Sequence, residues 1–305
     1  MVSLKKDNYV PIAVICYNRP QHLKKVLNSL LKNPECKYSE IYFFIDKFDN
    51  LRSKDANQEV IEICKENWEF KKINIFKNEV NKGLKMQIID SATFMALNHS
   101  AFIMLEDDVV VSKNFLHYMN LSLKKYKDSN IFHINGFNYS NFINNPKNAY
   151  VSLLMFSWGW ATWSDKWLEF VNTHDFDADK IGKATKKEMN RFNLYGLSKY
   201  YNQIKDNSTG KIRTWAIFWY QHISLNNGYT ISPGKSHTIN LGFDGSGMNS
   251  GKSNNYNTKL NNLTTENFQN KIGIYNSNHI VTIFWNLKVL IKEYFSYHIS
   301  KLLRN

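Results

Sequence analysis

Cysteine is scarce in this 305-residue chain: there are three, Cys16, Cys36 and Cys64. The number is odd and no CxxC pair occurs. This argues against a disulfide framework or a cysteine-based zinc site and points to a reducing compartment. The bland alternative for each thiol is a small buried hydrophobe. Proline (5) and glycine (13) are also few, so the composition is neither fibrous nor disordered. No run of 18 uninterrupted apolar residues occurs; the best candidate, 279–291, is broken by Asn286 and Lys288. The first ten residues are polar, with Lys5, Lys6 and Asp7, and lack the apolar centre of a signal peptide. A soluble or peripheral protein without a membrane span is therefore expected. There is no internal repeat. Acids are outnumbered: 26 Asp and Glu against 39 Lys and Arg leave a net charge of +13.

Aromatics are plentiful, at 15% of the chain, so a sizeable core is available. Val10–Cys16 is a β-branched apolar run and reads as a buried strand. After the turn YNRP, apolar residues at Leu23, Val26, Leu27, Leu30 and Leu31 have helical spacing, and Pro34 ends that helix. Further strands are expected over 41–45, 73–76, 101–105 and 131–134, with helices over 56–67, 85–97 and 114–126. This alternation predicts an α/β fold: a mostly parallel, Rossmann-like sheet with helices on both faces. Ligands of such sheets bind at the carboxyl ends of the strands. In the second half we expect a basic helix over 179–205, an aromatic helix over 215–225, a short strand over 229–231 and a terminal helix over 279–303. The Asn-rich stretches 138–148 and 249–262 read as loops.

The strand AFIML at 101–105 ends in Glu106-Asp107-Asp108. In extended chain Glu106 and Asp108 would share one side and Asp107 the other. Such oxygen ligands suit Mg2+ or Mn2+, which take few protein carboxylates and complete their shell from substrate phosphates. The alternative is a solvated acidic turn. Four features in order (PIAVICYNRP, the second strand ending in Asp46, NKGL at 81–84, and EDD) resemble nucleotide-sugar-dependent glycosyltransferases of the GT-A fold. The likeness continues through SWGWATW (157–163) and 214–247, where the pattern resembles bacterial sugar transferases related to glycosyltransferase family 2 and to N-acetylglucosaminyltransferase I. It covers about residues 10–247.

The resemblance implies a GT-A domain over 1–265, with a nucleotide-sugar-binding half (1–116) and an acceptor half (117–265), followed by a C-terminal amphipathic basic helix in 266–305. It implies that Asp108 contacts Mn2+ or Mg2+, with Asp107 and Glu106 around the donor sugar and ribose. Asp46 would lie near the base, Arg19 and Lys82 near base or phosphate, and Pro11 and Tyr17 would shape the nucleotide slot. His237 would touch metal or diphosphate, or else be a structural histidine. Trp158, Trp160, Trp163 and Trp167 lie within 13 residues. Trp158, Gly159, Trp160 and Trp215 would line the sugar and acceptor pocket, with core packing as the alternative. Gly159 suggests a close backbone approach to a ligand or another chain. Inverting transfer, expected from the resemblance, needs a base. The related enzymes carry an aspartate after a tryptophan, but here Trp215 is followed by Ala216. The substitutes are Asp165, which could instead cap a helix, and Asp244 of GFDGSG, which could instead stabilise a turn.

The excess charge is localised. Residues 180–213 hold nine Lys or Arg against Glu188 and Asp206, and residues 279–305 hold four against Glu293. The terminal segment also has a broad apolar face, suited to an anionic membrane surface, or else to docking on the core. No nucleic-acid motif appears, so nucleic acid is not an expected partner. The expected protein is a cytoplasmic transferase, peripheral at the inner face of the cytoplasmic membrane. It would take a nucleotide-diphosphate sugar donor and a glycan or glycolipid acceptor of the cell surface. Its rivals are a sugar nucleotidyltransferase, a non-catalytic carbohydrate-binding or degenerate subunit, and a membrane scaffold. Against the nucleotidyltransferase, the turn after the first strand, Tyr17–Pro20, contains no glycine.

Overall fold

A computed structural model describes residues 9–138, 148–173, 184–244, 260–261 and 273–275. The first half alternates strictly: β1 (Ile12–Cys16), α1 (Pro20–Leu30), β2 (Glu40–Ile45), α2 (Leu51–Lys65), β3 (Lys72–Lys77), α3 (Gly83–Asn98) and β4 (Ala101–Glu106). Then come β5 (Val109–Val111), α4 (Phe115–Tyr126), β6 (Ile131–Asn135), β7 (Asn148–Ser152), β8 (Trp160–Trp163) and α5 (Ser164–Thr173). The chain continues through α6 (Lys186–Phe192), α7 (Tyr200–Ser208), α8 (Ala216–Leu225), β9 (Tyr229–Pro233), β10 (Thr238–Asn240) and β11 (Gly273–Tyr275). Among the described residues, nine strands form one sheet in the order β11-β7-β9-β6-β8-β4-β1-β2-β3, and β10 pairs with β5 in a small ladder. The pairs β1–β2, β1–β4, β2–β3, β6–β9 and β7–β11 are parallel. The expected α/β class with a mostly parallel sheet is what the structure shows.

Side chains of β1 alternate between two cores. Ile12, Val14 and Cys16 pack on one face with residues of α1, α2 and α4. Ala13 and Ile15 pack on the other with residues of α3, α5 and α8. A strand covered on both faces must be apolar throughout, which is why it reads as a continuous run. Pro20 opens α1, where a missing N–H costs nothing. Asn50 caps α2 by accepting from the N–H groups of Arg52 and Ser53 at 3.0 and 3.1 Å, so that helix starts before its expected first residue, Ala56.

Several expectations change. Val109–Val111, Asn148–Ser152, Trp160–Trp163 and Thr238–Asn240 are strands that the sequence did not announce. The long basic helix is two helices, α6 and α7, separated by Leu194 and Tyr195 at positive φ (52° and 57°). Residues 174–183, where it was to begin, and the loops 139–147 and 249–259 lie outside the described residues. Within 266–305, Gly273–Tyr275 pair with β7 as a strand; the expected terminal helix at 279–303 lies outside the described residues. Among the described residues, no helix is long and apolar enough to cross a membrane.

Candidate active site

The carboxyl ends of β1, β2 and β4 open on a cleft of about 730 Å3. One wall carries Tyr17, Asn18 and Arg19 after β1, Asp46 and Asp49 after β2, Asn81, Gly83 and Gln87 around the start of α3, and Glu106–Asp108 after β4. The second half supplies Met155–Trp158, Tyr200 and Gln203 of α7, Ile212–Ala216 leading into α8, and Asn240 and Phe243 beyond β10.

The acidic triplet leaves the strand at Glu106 and turns at once. The two-residue alternation of extended chain therefore stops, and all three carboxylates line the cleft. Asp107 accepts from the Tyr17 N–H at 3.1 Å and so fixes the turn after β1. Arg19 makes a short ion pair with Asp108 Oδ2 and lies 3.9 Å from Asp107 Oδ1. Burial, then the charge of Asp108, raises the carboxyls of Glu106 and Asp107 well above the usual carboxylate range. Burial also raises Asp108, against the opposing pull of Arg19. Three carboxyls in one buried cluster thus share the charge of Arg19.

Asp108 Oδ1 is buried and has no hydrogen-bond partner among the described residues, a costly state for a carboxylate oxygen. Among the described residues no group of three or more His, Cys, Asp or Glu side chains could hold a metal. A divalent ion would thus find Asp108 Oδ1 and few other protein ligands. That donor set fits Mg2+ or Mn2+, which draw their remaining ligands from water and phosphate oxygens.

Asp46 lines the cleft but is fully engaged. Its carboxylate accepts from the backbone N–H groups of Lys47, Lys82 and Gly83 and from Asn78 Nδ2, at 2.9–3.1 Å. It anchors the start of α3, and the base contact expected of it has no free lone pair to use. The side chain of Lys82 turns away to Asp90 at 2.6 Å, so only its backbone serves the site. Tyr17 donates to Asp49 at 2.5 Å. Asn57 of α2 ties the carbonyls of Tyr17 and Asp46 together at 2.6 and 2.8 Å.

Other expected residues lie elsewhere. Pro11 precedes β1, and its carbonyl accepts from the Ile103 N–H at 3.0 Å; about 20 Å of extended chain separates it from Tyr17. Asp165 is displaced for a topological reason. β8 runs antiparallel to β4, with Trp163 opposite Ala101, so the chain enters α5 at the amino ends of the parallel strands. About 17 Å of strand separates that level from Glu106, so Asp165 is no base for this cleft. Asp244 sits just past Phe243 with its carboxylate 3.1 Å from His22 Nε2 and does not line the cleft.

His237 is the structural alternative. It is fully buried, 2.7 Å from Ser112 Oγ and stacked on Tyr118, and burial holds its imidazole down to about 3. Trp160, Trp163 and Trp167 are core residues; Trp160 packs on Trp167, Trp215 and His133. Trp158 and Trp215 do reach the cleft. Gly159 has φ +72°, and a Cβ there would meet Thr238 at 2.8 Å. Its close approach is to β10 and Gly136, not to a ligand.

Sequence reasoning missed Asp49, Asn81, Gln87, Tyr200, Gln203, Arg213, Asn240 and Phe243. Three of them had a local signal: Asn81 opens NKGL, Phe243 lies in GFDGSG, and Gln87 falls four residues after Gly83, one turn into α3. The others reach the cleft through chain folding that no local spacing reveals.

No protein-family model matches the chain, and no curated protein matches it. Among solved structures the chain is similar to GalNAc-T7 with UDP, GalNAc and Mn2+ (15% identity, TM-score 0.47, covering 75% of this chain and 43% of that one). It is also similar to TarS 1-349 of S. aureus (12%, TM-score 0.42, covering 76% and 60%). A third is a cytidylyltransferase from Leptospira borgpetersenii (12%, TM-score 0.35, covering 59% and 73%). The chain thus spans less than two thirds of the length of the first two. Likenesses this loose transfer no residue role; the chemistry rests on the cleft itself.

Proposed function

We propose that this protein is a metal-dependent glycosyltransferase that moves a sugar from a nucleotide-diphosphate sugar to a glycan or glycolipid acceptor. The observation that carries the proposal is Asp108. Its buried Oδ1, without a hydrogen-bond partner among the described residues, stands at the carboxyl edge of a parallel sheet, in a cleft large enough for a nucleotide sugar. A divalent ion on Asp108 would neutralise the charge of a departing diphosphate. Arg19 lies beside that position and would add a guanidinium to the same oxygens. Tyr17, Asn18 and Asp49 form the end of the cleft suited to a nucleoside, and the half-buried Trp158 offers a ring to sugars, backed by the buried Trp215. A role in cell-surface glycan synthesis at the inner membrane face, with inversion at the anomeric carbon, completes the proposal.

The test is a panel of nucleotide sugars incubated with the full chain and Mn2+ or Mg2+, read as donor hydrolysis and transfer. Metal-dependent turnover of one donor class, lost in Asp108→Asn, supports the proposal. Absence of turnover and of nucleotide affinity across the panel sinks it.

A further inference from the structure

We infer that the wall built by residues 200–214 is a subsite for an acidic acceptor sugar, with Arg213 selecting its carboxylate or phosphate. This rests on the transferase reading for the role of the sugar. Arg213 is exposed, lines the cleft, and forms no ion pair with another described residue. The other arginine of the cleft, Arg19, pairs with Asp108 on the opposite, donor wall. The acids that could neutralise Arg213 from its own segment are already engaged: Asp206 pairs with Lys211 at 3.2 Å, and Glu188 closes a capping box with Thr185.

The cleft therefore has two electrostatic halves. The carboxylates of the first wall suit a metal–diphosphate, whereas the second wall presents a guanidinium with spare donors. Tyr200 and Gln203 stand three residues apart on α7, so they share one helix face, and both line the same cleft as Arg213. A ring face, an amide and a planar fork are the groups needed to hold a sugar ring, its hydroxyls and a charged oxygen pair. A neutral sugar would leave the guanidinium unused.

The experiment measures binding of N-acetylneuraminic acid, glucose 6-phosphate and glucose to the full chain, with Mn2+ and UDP, GDP or CDP present. Wild type is compared with Arg213→Gln and Arg213→Lys. Wild type should favour at least one acidic sugar over glucose, with the carboxylate and phosphate arms naming the group. Arg213→Gln should lose that preference by about ten-fold or more while keeping nucleotide affinity, and Arg213→Lys should fall between. Equal binding of acidic and neutral sugars by wild type overturns the inference, as does unchanged acidic-sugar binding by Arg213→Gln. A ten-fold loss of nucleotide affinity in Arg213→Gln also overturns it, because the guanidinium would then serve the donor. If wild type binds no nucleoside diphosphate, the transferase reading falls, while the sugar arms still decide the subsite.

Discussion

Two aspartates at strand ends divide the work between chemistry and architecture. Among the described residues Asp108 keeps one buried oxygen unpartnered, whereas every carboxylate oxygen of Asp46 is occupied by N–H donors from the start of α3 and its flanks. Asp108→Asn should therefore keep the fold, with thermal unfolding unchanged or raised, and lose Mn2+-dependent nucleoside diphosphate binding by about ten-fold or more in calorimetry. Retained metal dependence would remove Asp108 from the metal. Asp46→Ala should do the reverse. It strands several buried donors and should cost about 3 kcal/mol in urea unfolding. An unchanged midpoint would show that water replaces the carboxylate freely.

At the scale of elements, the ladder of β5 and β10 brings the second half of the chain onto the acidic triplet. Asn240 pairs opposite Val109, and the Leu241 N–H donates to the Asp108 carbonyl at 2.8 Å. Gly242 then passes so close that a Cβ would collide with Asp108 Oδ2 and stand 3.3 Å from Arg19. Gly242→Ala should displace that carboxylate, lowering stability by about 1–2 kcal/mol and weakening Mn2+ binding in the same protein. Normal metal affinity in a stable Gly242→Ala would contradict the packing. α2 gives a control away from the metal: Asn50→Ala removes the cap at its first turn. It should cost about 1 kcal/mol in urea unfolding.

Across the whole molecule, buried titratable groups pull stability in opposite directions. His133 accepts from the Trp219 indole N–H, stacks on Trp160, and is held down to about 3 by burial, like His237. A histidine depressed in the folded state contributes stability that is whole above its ordinary value of 6.5 and is lost as pH falls toward 3. The slope is about 1.4 kcal/mol per pH unit for each ring. Glu106 is raised, so its contribution has the opposite sign: it is present below the ordinary value of 4.5 and is lost as pH rises through the folded value. Glu106→Gln should therefore gain stability over wild type as metal-free protein is taken from pH 5 to pH 8. A difference that stays flat in urea unfolding across that range would show that Glu106 titrates normally.

Local periodicity sufficed for the first half of the fold. β1 to β4 with α1 to α3, and then α4, follow from apolar runs and helical spacing, because parallel strands buried on both faces leave a continuous signature and each helix contributes its own stripe; the short β5 does not. The sequence by itself also placed Asp46 and Glu106–Asp108 at strand ends, and so named the edge of the sheet that matters. It could not place β8. A four-residue strand antiparallel between β4 and β6 is decided by its neighbours, and that choice sends Asp165 to the far edge and Trp160 into the core. Nor could it distinguish His237 from a ligand, since burial against Tyr118 and Ser112 arises only when β10 folds onto β5. A strand buried on both faces is legible in a few adjacent residues; which side chains share a cleft depends on contacts more than 100 residues apart, and Arg213 reached this one by that route alone.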